Sequence, residues 1–123
     1  MQKLTKKQTA VVYQQCFKLV KRKPPEFFTF KKMRRSQGIC DYENDILEFD
    51  PRREFVRTAF HECVHYIYPD WSETKVLYVE SRIINVCTSF EIARFLKEFT
   101  SKLYKAELIR NSLKKSKKRK KIN

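Results

Sequence analysis

The sequence predicts an α+β domain: an N-terminal helix, a small antiparallel sheet, three further helices in succession, and a disordered basic C-terminal tail. Three observations lead there. Apolar residues recur at three- and four-residue spacing in four separate stretches, the period of a helix with one buried face. Between residues 26 and 49 that period gives way to short alternating segments. The joints between stretches carry Pro, Asp and Ser, the residues that end one element and cap the next.

The first stretch, Thr5 to about Val20, places Val12, Cys16, Phe17 and Val20 on one face, with Thr5 as its cap. Lys23-Pro24-Pro25 ends it, because proline has no N–H to continue the ladder. Glu26 to Arg34 alternates around Phe28 and Phe30 as a strand does, and Ser36-Gln37-Gly38 reads as a turn. Two short strands, Ile39–Tyr42 and Ile46–Phe49, flank Glu43-Asn44-Asp45, the pattern of a hairpin. Asp50-Pro51 has the form of a helix start, with Asp as N-cap and Pro at the first helical position. The second helix then runs to about Tyr68, with Val56, Phe60, Cys63, Val64 and Ile67 facing inward.

Pro69-Asp70-Trp71-Ser72 breaks that helix, and Ser72 caps a third. Its inner face carries Val76, Leu77, Ile83, Ile84 and Cys87. Thr88-Ser89-Phe90-Glu91 is a capping box for a fourth, striped by Ile92, Phe95, Leu96, Phe99 and Leu103. The stripe fades after Leu108, so the expected division is a single domain over residues 1–110 and a disordered tail over 111–123.

Composition narrows the function classes. With 123 residues, 41% hydrophobic and 14% aromatic, the chain can build one core. Its single glycine, Gly38, argues against a glycine-rich phosphate loop. No apolar run is long enough to cross a bilayer, and the N-terminus lacks a secretory pattern, so a soluble, cytoplasmic protein is expected. Cys16, Cys40, Cys63 and Cys87 are too far apart for a CxxC metal knuckle and are expected as reduced thiols. Of the net +14, a share of +8 lies from Leu103 onward, which makes nucleic acid a candidate partner for the tail. A solvated lysine-rich terminus is the plain alternative.

The chemistry lies in the only two histidines. They frame His61-Glu62-Cys63-Val64-His65, an HExxH pattern inside the second helix. Residues four apart sit one above the other, so both imidazoles reach one ion, expected to be Zn2+. Glu62, about 100° around the helix, is placed as general base toward metal-activated water without ligating the metal. A third ligand is needed, and Glu73 and Glu80 on the next helix both qualify. Antiparallel packing about Asp70-Trp71 sets Glu80 nearer the level of the histidines, so Glu80 is favoured and Glu73 is left as a cap or outer acceptor. Tyr42, Tyr66, Tyr68 and Tyr78 are candidate oxyanion donors, and Ile46–Phe49 is a candidate edge for an extended peptide. Trp71 reads as a packing plug and Cys63 as core.

The stretch from Gly38-Ile39-Cys40-Asp41-Tyr42 through Ile46-Leu47-Glu48-Phe49-Asp50 to Phe60–Glu73 resembles the small zinc metallopeptidases common in bacteriophages and bacteria. The resemblance covers about residues 38–86 and implies a minimal zincin fold of the gluzincin kind. His61 and His65 would bind zinc, Glu62 would be the base and a later glutamate would complete the site. With no third histidine, the metzincin ligand set is excluded. The expected function is therefore zinc-dependent hydrolysis of a peptide bond, in a protein associated with nucleic acid through its tail. The alternative is a non-catalytic, zinc-stabilised module that binds nucleic acid or an acidic partner through that tail.

Overall fold

The computed structural model describes residues 3–30, 38–49 and 54–122. Helix α1 (Lys6–Arg22) opens on a capping box in which Thr5 Oγ1 accepts from Gln8 N and Gln8 Oε1 accepts from Thr5 N. A 3-10 turn (Pro25–Phe27) leads into β1 (Phe28–Phe30), followed by β2 (Gly38–Asp41) and β3 (Ile46–Phe49). Three helices complete the order: α2 (Phe55–Ile67), α3 (Glu73–Val86) and α4 (Ser89–Ile122). The α+β class holds. The expected start of α2 at Asp50-Pro51 and the turn residues Ser36 and Gln37 lie outside the described residues, as does the far end of the first expected strand. Gly38 itself belongs to β2.

The sheet is mixed, not antiparallel. Its order is β1-β3-β2, with β1 parallel to β3 (Phe28 opposite Leu47) and β2 antiparallel to it (Gly38 opposite Phe49, Asp41 opposite Ile46). A hairpin signal fixes the direction of only the two strands it joins. Here those are β2 and β3, and β1 takes the other side of β3 in the opposite sense. Ile46–Phe49 is therefore the central strand, and β2 is an edge among the described residues. The hairpin tip is ordered by Asp41, which accepts from Asn44 N at 3.1 Å, and by Asp45 in the left-handed region at φ 53°. Asp45 also accepts from Lys23 at 3.0 Å and from the Tyr66 hydroxyl at 2.5 Å, tying the tip to the end of α1 and to α2. These partners hold its carboxyl below the usual carboxylate range.

The core lies between α1, α2, α3, α4 and the sheet. Phe60 and Phe95 stack at 4.1 Å, and Phe99 meets both Phe28 and Phe55 edge-on at 5.4 Å. Tyr13 is buried among them and donates its hydroxyl to Glu91 O at 2.6 Å, so no polar tip is left unsatisfied. Cys16 and Cys63 are fully buried and all four cysteines are free thiols. On α3 the inward residues are Val76, Val79, Glu80 and Ile83, while Leu77 is 48% exposed, contrary to the expected stripe. Leu77 lies one step around the helix from Val76 and turns out of the interface. No described helix is long and apolar enough to span a membrane.

Helix α4 does not end near Leu108. It continues to Ile122, through residues expected to form a disordered tail. The physical reason is composition: after Ser89 the chain has neither Gly nor Pro, and Lys and Arg are good helix formers. Its opening box is as expected, with Thr88 N donating to Glu91 Oε1 at 2.9 Å and Glu91 N to Thr88 Oγ1 at 3.1 Å. Arg110 donates to Phe28 O at 2.7 Å, and α4 thereby closes the outer side of β1.

Sheet and helix meet most closely at Gly38. A Cβ there would lie 2.7 Å from Thr58 Cγ2, 2.8 Å from Glu62 Cγ and 3.3 Å from Glu48 O. Two of those atoms belong to side chains rooted on α2 and the third is main chain of β3, so none moves freely. Gly38→Ala should therefore push β2 off α2 and cost about 1–3 kcal/mol in urea unfolding. A loss within about 0.5 kcal/mol would show that the contact yields without strain.

Candidate metal centre

Helix α2 carries Arg57, His61 and His65 at four-residue spacing, and these three line one wall of a cleft of about 570 Å³. Helix α3 supplies the facing wall with Glu73, Leu77 and Glu80, and β2 the third with Gly38, Ile39 and Cys40. The turn between α2 and α3 fixes their relative height. Tyr68 stacks flat on Trp71 at 3.9 Å, Lys75 lies over the indole at 4.1 Å, and Ser72 Oγ accepts from Lys75 N. Trp71 is thus the plug that its place in the sequence suggests.

The two histidines converge, with ring centroids 4.7 Å apart. Glu73 bridges them: its Oε1 is 2.9 Å from His61 Nε2 and its Oε2 is 2.6 Å from His65 Nε2. Glu80 lies behind, 3.4 Å from the other ring nitrogen of His61, Nδ1. The ligand-forming atoms that come within 4.8 Å of one another belong to His61, His65 and Glu73. This reverses the preference for Glu80 drawn from helix levels. Both glutamates lie on the face turned toward α2, two turns apart, and each reaches a histidine. Only Glu73 reaches both Nε2 atoms.

The donor set suits a small divalent ion. Two imidazole nitrogens and one carboxylate are ligands zinc takes at about 2.0–2.2 Å, and tetrahedral zinc holds its ligand atoms about 3.3–3.5 Å apart. The present separations lie close to that. The Glu73 side chain is 60% exposed, which leaves the ligand cluster open on one side. Glu80 accepting from His61 Nδ1 would fix the tautomer that leaves Nε2 free to bind.

Glu62 is buried, only 6% exposed, yet its side chain lines the cleft beside Gly38. Burial, with the nearby Glu73 and Glu80 carboxylates, pushes its carboxyl up to about 7 against the opposing pull of His61. For His61, burial disfavours the charged ring, but the Glu80 hydrogen bond and the surrounding carboxylates outweigh it and hold its pKa above the usual value. Cys40, also on the cleft, is pushed by burial up to about 11 and stays a thiol at neutral pH. Cys63 is core, as expected.

The four tyrosines separate. Tyr66 is committed to Asp45, Tyr78 accepts from Leu4 N at 3.2 Å, and Tyr68 is stacked on Trp71. Tyr42 alone of the four lines the cleft, and its hydroxyl donates to the main-chain carbonyl of His65. Arg57, donating to Ser81 Oγ at 3.1 Å, is a cleft residue that sequence reasoning missed. The signal was present, since it lies four residues before His61. Comparison with family models, with curated proteins and with solved structures gives no match for this chain.

Glu62 makes a signed prediction for the metal-free protein. Its folded pKa of about 7 exceeds the ordinary 4.5, so the folded state holds a proton between those values that the unfolded chain has lost. Stability must then fall as pH rises from 4.5 through about 7. His61, held above 6.5, adds a further fall beyond that point. Glu62→Gln should remove the lower window and raise stability at about pH 8 by roughly 1–3 kcal/mol. Urea unfolding at about pH 5 and 8 checks it, and parallel profiles for wild type and variant would refute it.

Proposed function

We propose that this chain is a zinc-dependent metallopeptidase of the minimal zincin kind. His61, His65 and Glu73 hold the ion, and Glu80 orients His61 through Nδ1. A bound zinc would supply a Lewis acid that makes water nucleophilic near neutral pH. Glu62 takes a proton from the attacking water as the C–O bond forms, then delivers it to the leaving amine as the C–N bond breaks. Arg57, on the same wall one turn before His61, is the candidate donor to the developing oxyanion. Edge strand β2, with Ile39 40% exposed, gives an extended peptide a ladder to join.

The observation that carries this reading is the buried Glu62 on the wall of an open cleft, beside two converging imidazoles. A metal that served only to stabilise the fold would use the histidines and Glu73. It would not require a costly buried carboxylate next to them. A base whose pKa lies near neutrality is suited to both taking and returning a proton.

Metal content of protein purified without added metal tests the ligand set. About one zinc per chain is expected, lost in His61→Ala and in Glu73→Ala, with Glu80→Ala retaining the site at about 10–100-fold weaker affinity. Loss in Glu80→Ala with retention in Glu73→Ala would return the third ligand to Glu80. No uptake by wild type on titration would refute the centre. On a peptide library, Glu62→Gln should keep its zinc and lose about 10²–10⁴-fold in kcat. Undiminished cleavage by that variant would eliminate Glu62 as the base.

A further inference from the structure

The part of α4 beyond the core has properties that the cleft does not explain. Leu103 and Ala106 are the last buried residues, and Arg110 makes the last described contact with the body through Phe28 O. Residues 111–114 are exposed, and the helix runs on to Ile122. Residues 111–122 thus form about 18 Å of helix past the body. Seven of these twelve residues are Lys or Arg and none is acidic. None of the described residues lining the cleft belongs to α4, so this segment is no part of that site.

Two physical features say what it would accept. The first is like-charge crowding. Lys114/Lys118, Lys115/Arg119 and Lys117/Lys121 are four apart, and each such pair weakens an isolated helix. The helix C-terminal dipole offsets part of this, and a dense polyanion would offset the rest. The second is distribution. At roughly 100° per residue, the basic positions from Lys114 to Lys121 fall in all four quadrants of the helix. A helix lying on a membrane needs one continuous apolar face, yet after Leu113 the only apolar residue is Ile122. A protein interface needs aromatic or aliphatic anchors, which are likewise missing there. A groove with phosphates on both sides is the environment that meets cations around the whole circumference. The B-form major groove, about 12 Å wide, admits a helix of about 10–12 Å. The A-form major groove of RNA is too narrow and deep to do so.

We infer that residues 111–122 of α4 are a duplex-DNA-binding helix that enters the major groove and contacts phosphates without reading sequence. The lysine-dominated composition supports phosphate contact over base readout, since base edges are read chiefly by Arg, Asn and Gln. This inference is independent of the metallopeptidase reading.

The test is fluorescence anisotropy of the full chain with a mixed-sequence DNA duplex of about 20 bp. Affinity should fall about 10²–10³-fold between about 50 and 200 mM salt, a log–log slope of about −4 to −6. The full-length variant Lys114→Gln, Lys117→Gln, Lys118→Gln and Lys121→Gln keeps helix propensity and should lose at least about tenfold in affinity at low salt, with a shallower slope. Circular dichroism should show helix content retained or increased on binding. Wild-type affinity in the variant, or a flat salt dependence, would overturn the proposal. Equal affinity for duplex RNA would overturn the groove placement. Tighter binding to vesicles containing phosphatidylserine, or to poly-glutamate, would reassign the helix to a membrane or an acidic protein.

Discussion

The candidate centre depends on one close approach, that of β2 to α2 at Gly38. With no Cβ in the way, the strand's main chain comes near enough to Thr58 and Glu62 to wall in a carboxylate that would otherwise stand in solvent. Burial then does two things together. It raises the proton affinity of Glu62, and it leaves the histidines on the open side of the same helix, facing α3. The chain's only glycine thus stands where sheet and helix must nearly touch.

Electrostatics make the centre expensive without an ion. Glu62, Glu73 and Glu80 surround two imidazoles that carry a positive charge only when protonated, and two of the three carboxylates are nearly inaccessible. Such a cluster holds protons that solvent-exposed groups would release, which is the stored asymmetry behind its pH dependence. A divalent cation would take over the role of those protons, linking folding stability to metal affinity.

Much of this was legible in the sequence because it is local. Thr5 and Gln8, Thr88 and Glu91, and Ser72 announce helix starts through contacts three residues apart, and the His61–His65 spacing is a property of a single helix. What failed to appear were relations between elements. The third carboxylate depends on how α3 crosses α2, and counting residues from the turn gives levels along the axes but not side-chain reach. The direction of β1 depends on which edge of β3 it joins, which no turn residue encodes. The helical continuation past Leu108 was missed because fading amphipathicity was read as loss of structure, although the chain there contains no residue that stops a helix.

The hairpin of β2 and β3 is held at both ends: at Gly38 by the helix behind it, and at its tip by Lys23 and Tyr66 on Asp45. Its edge therefore loses little conformational freedom when another strand pairs with it, and almost all the ordering cost falls on the incoming chain. That makes the edge indifferent to whose main chain arrives. At high protein concentration a second copy of β2 would compete for the same ladder, so dilution, as much as sequence, governs how available the cleft is.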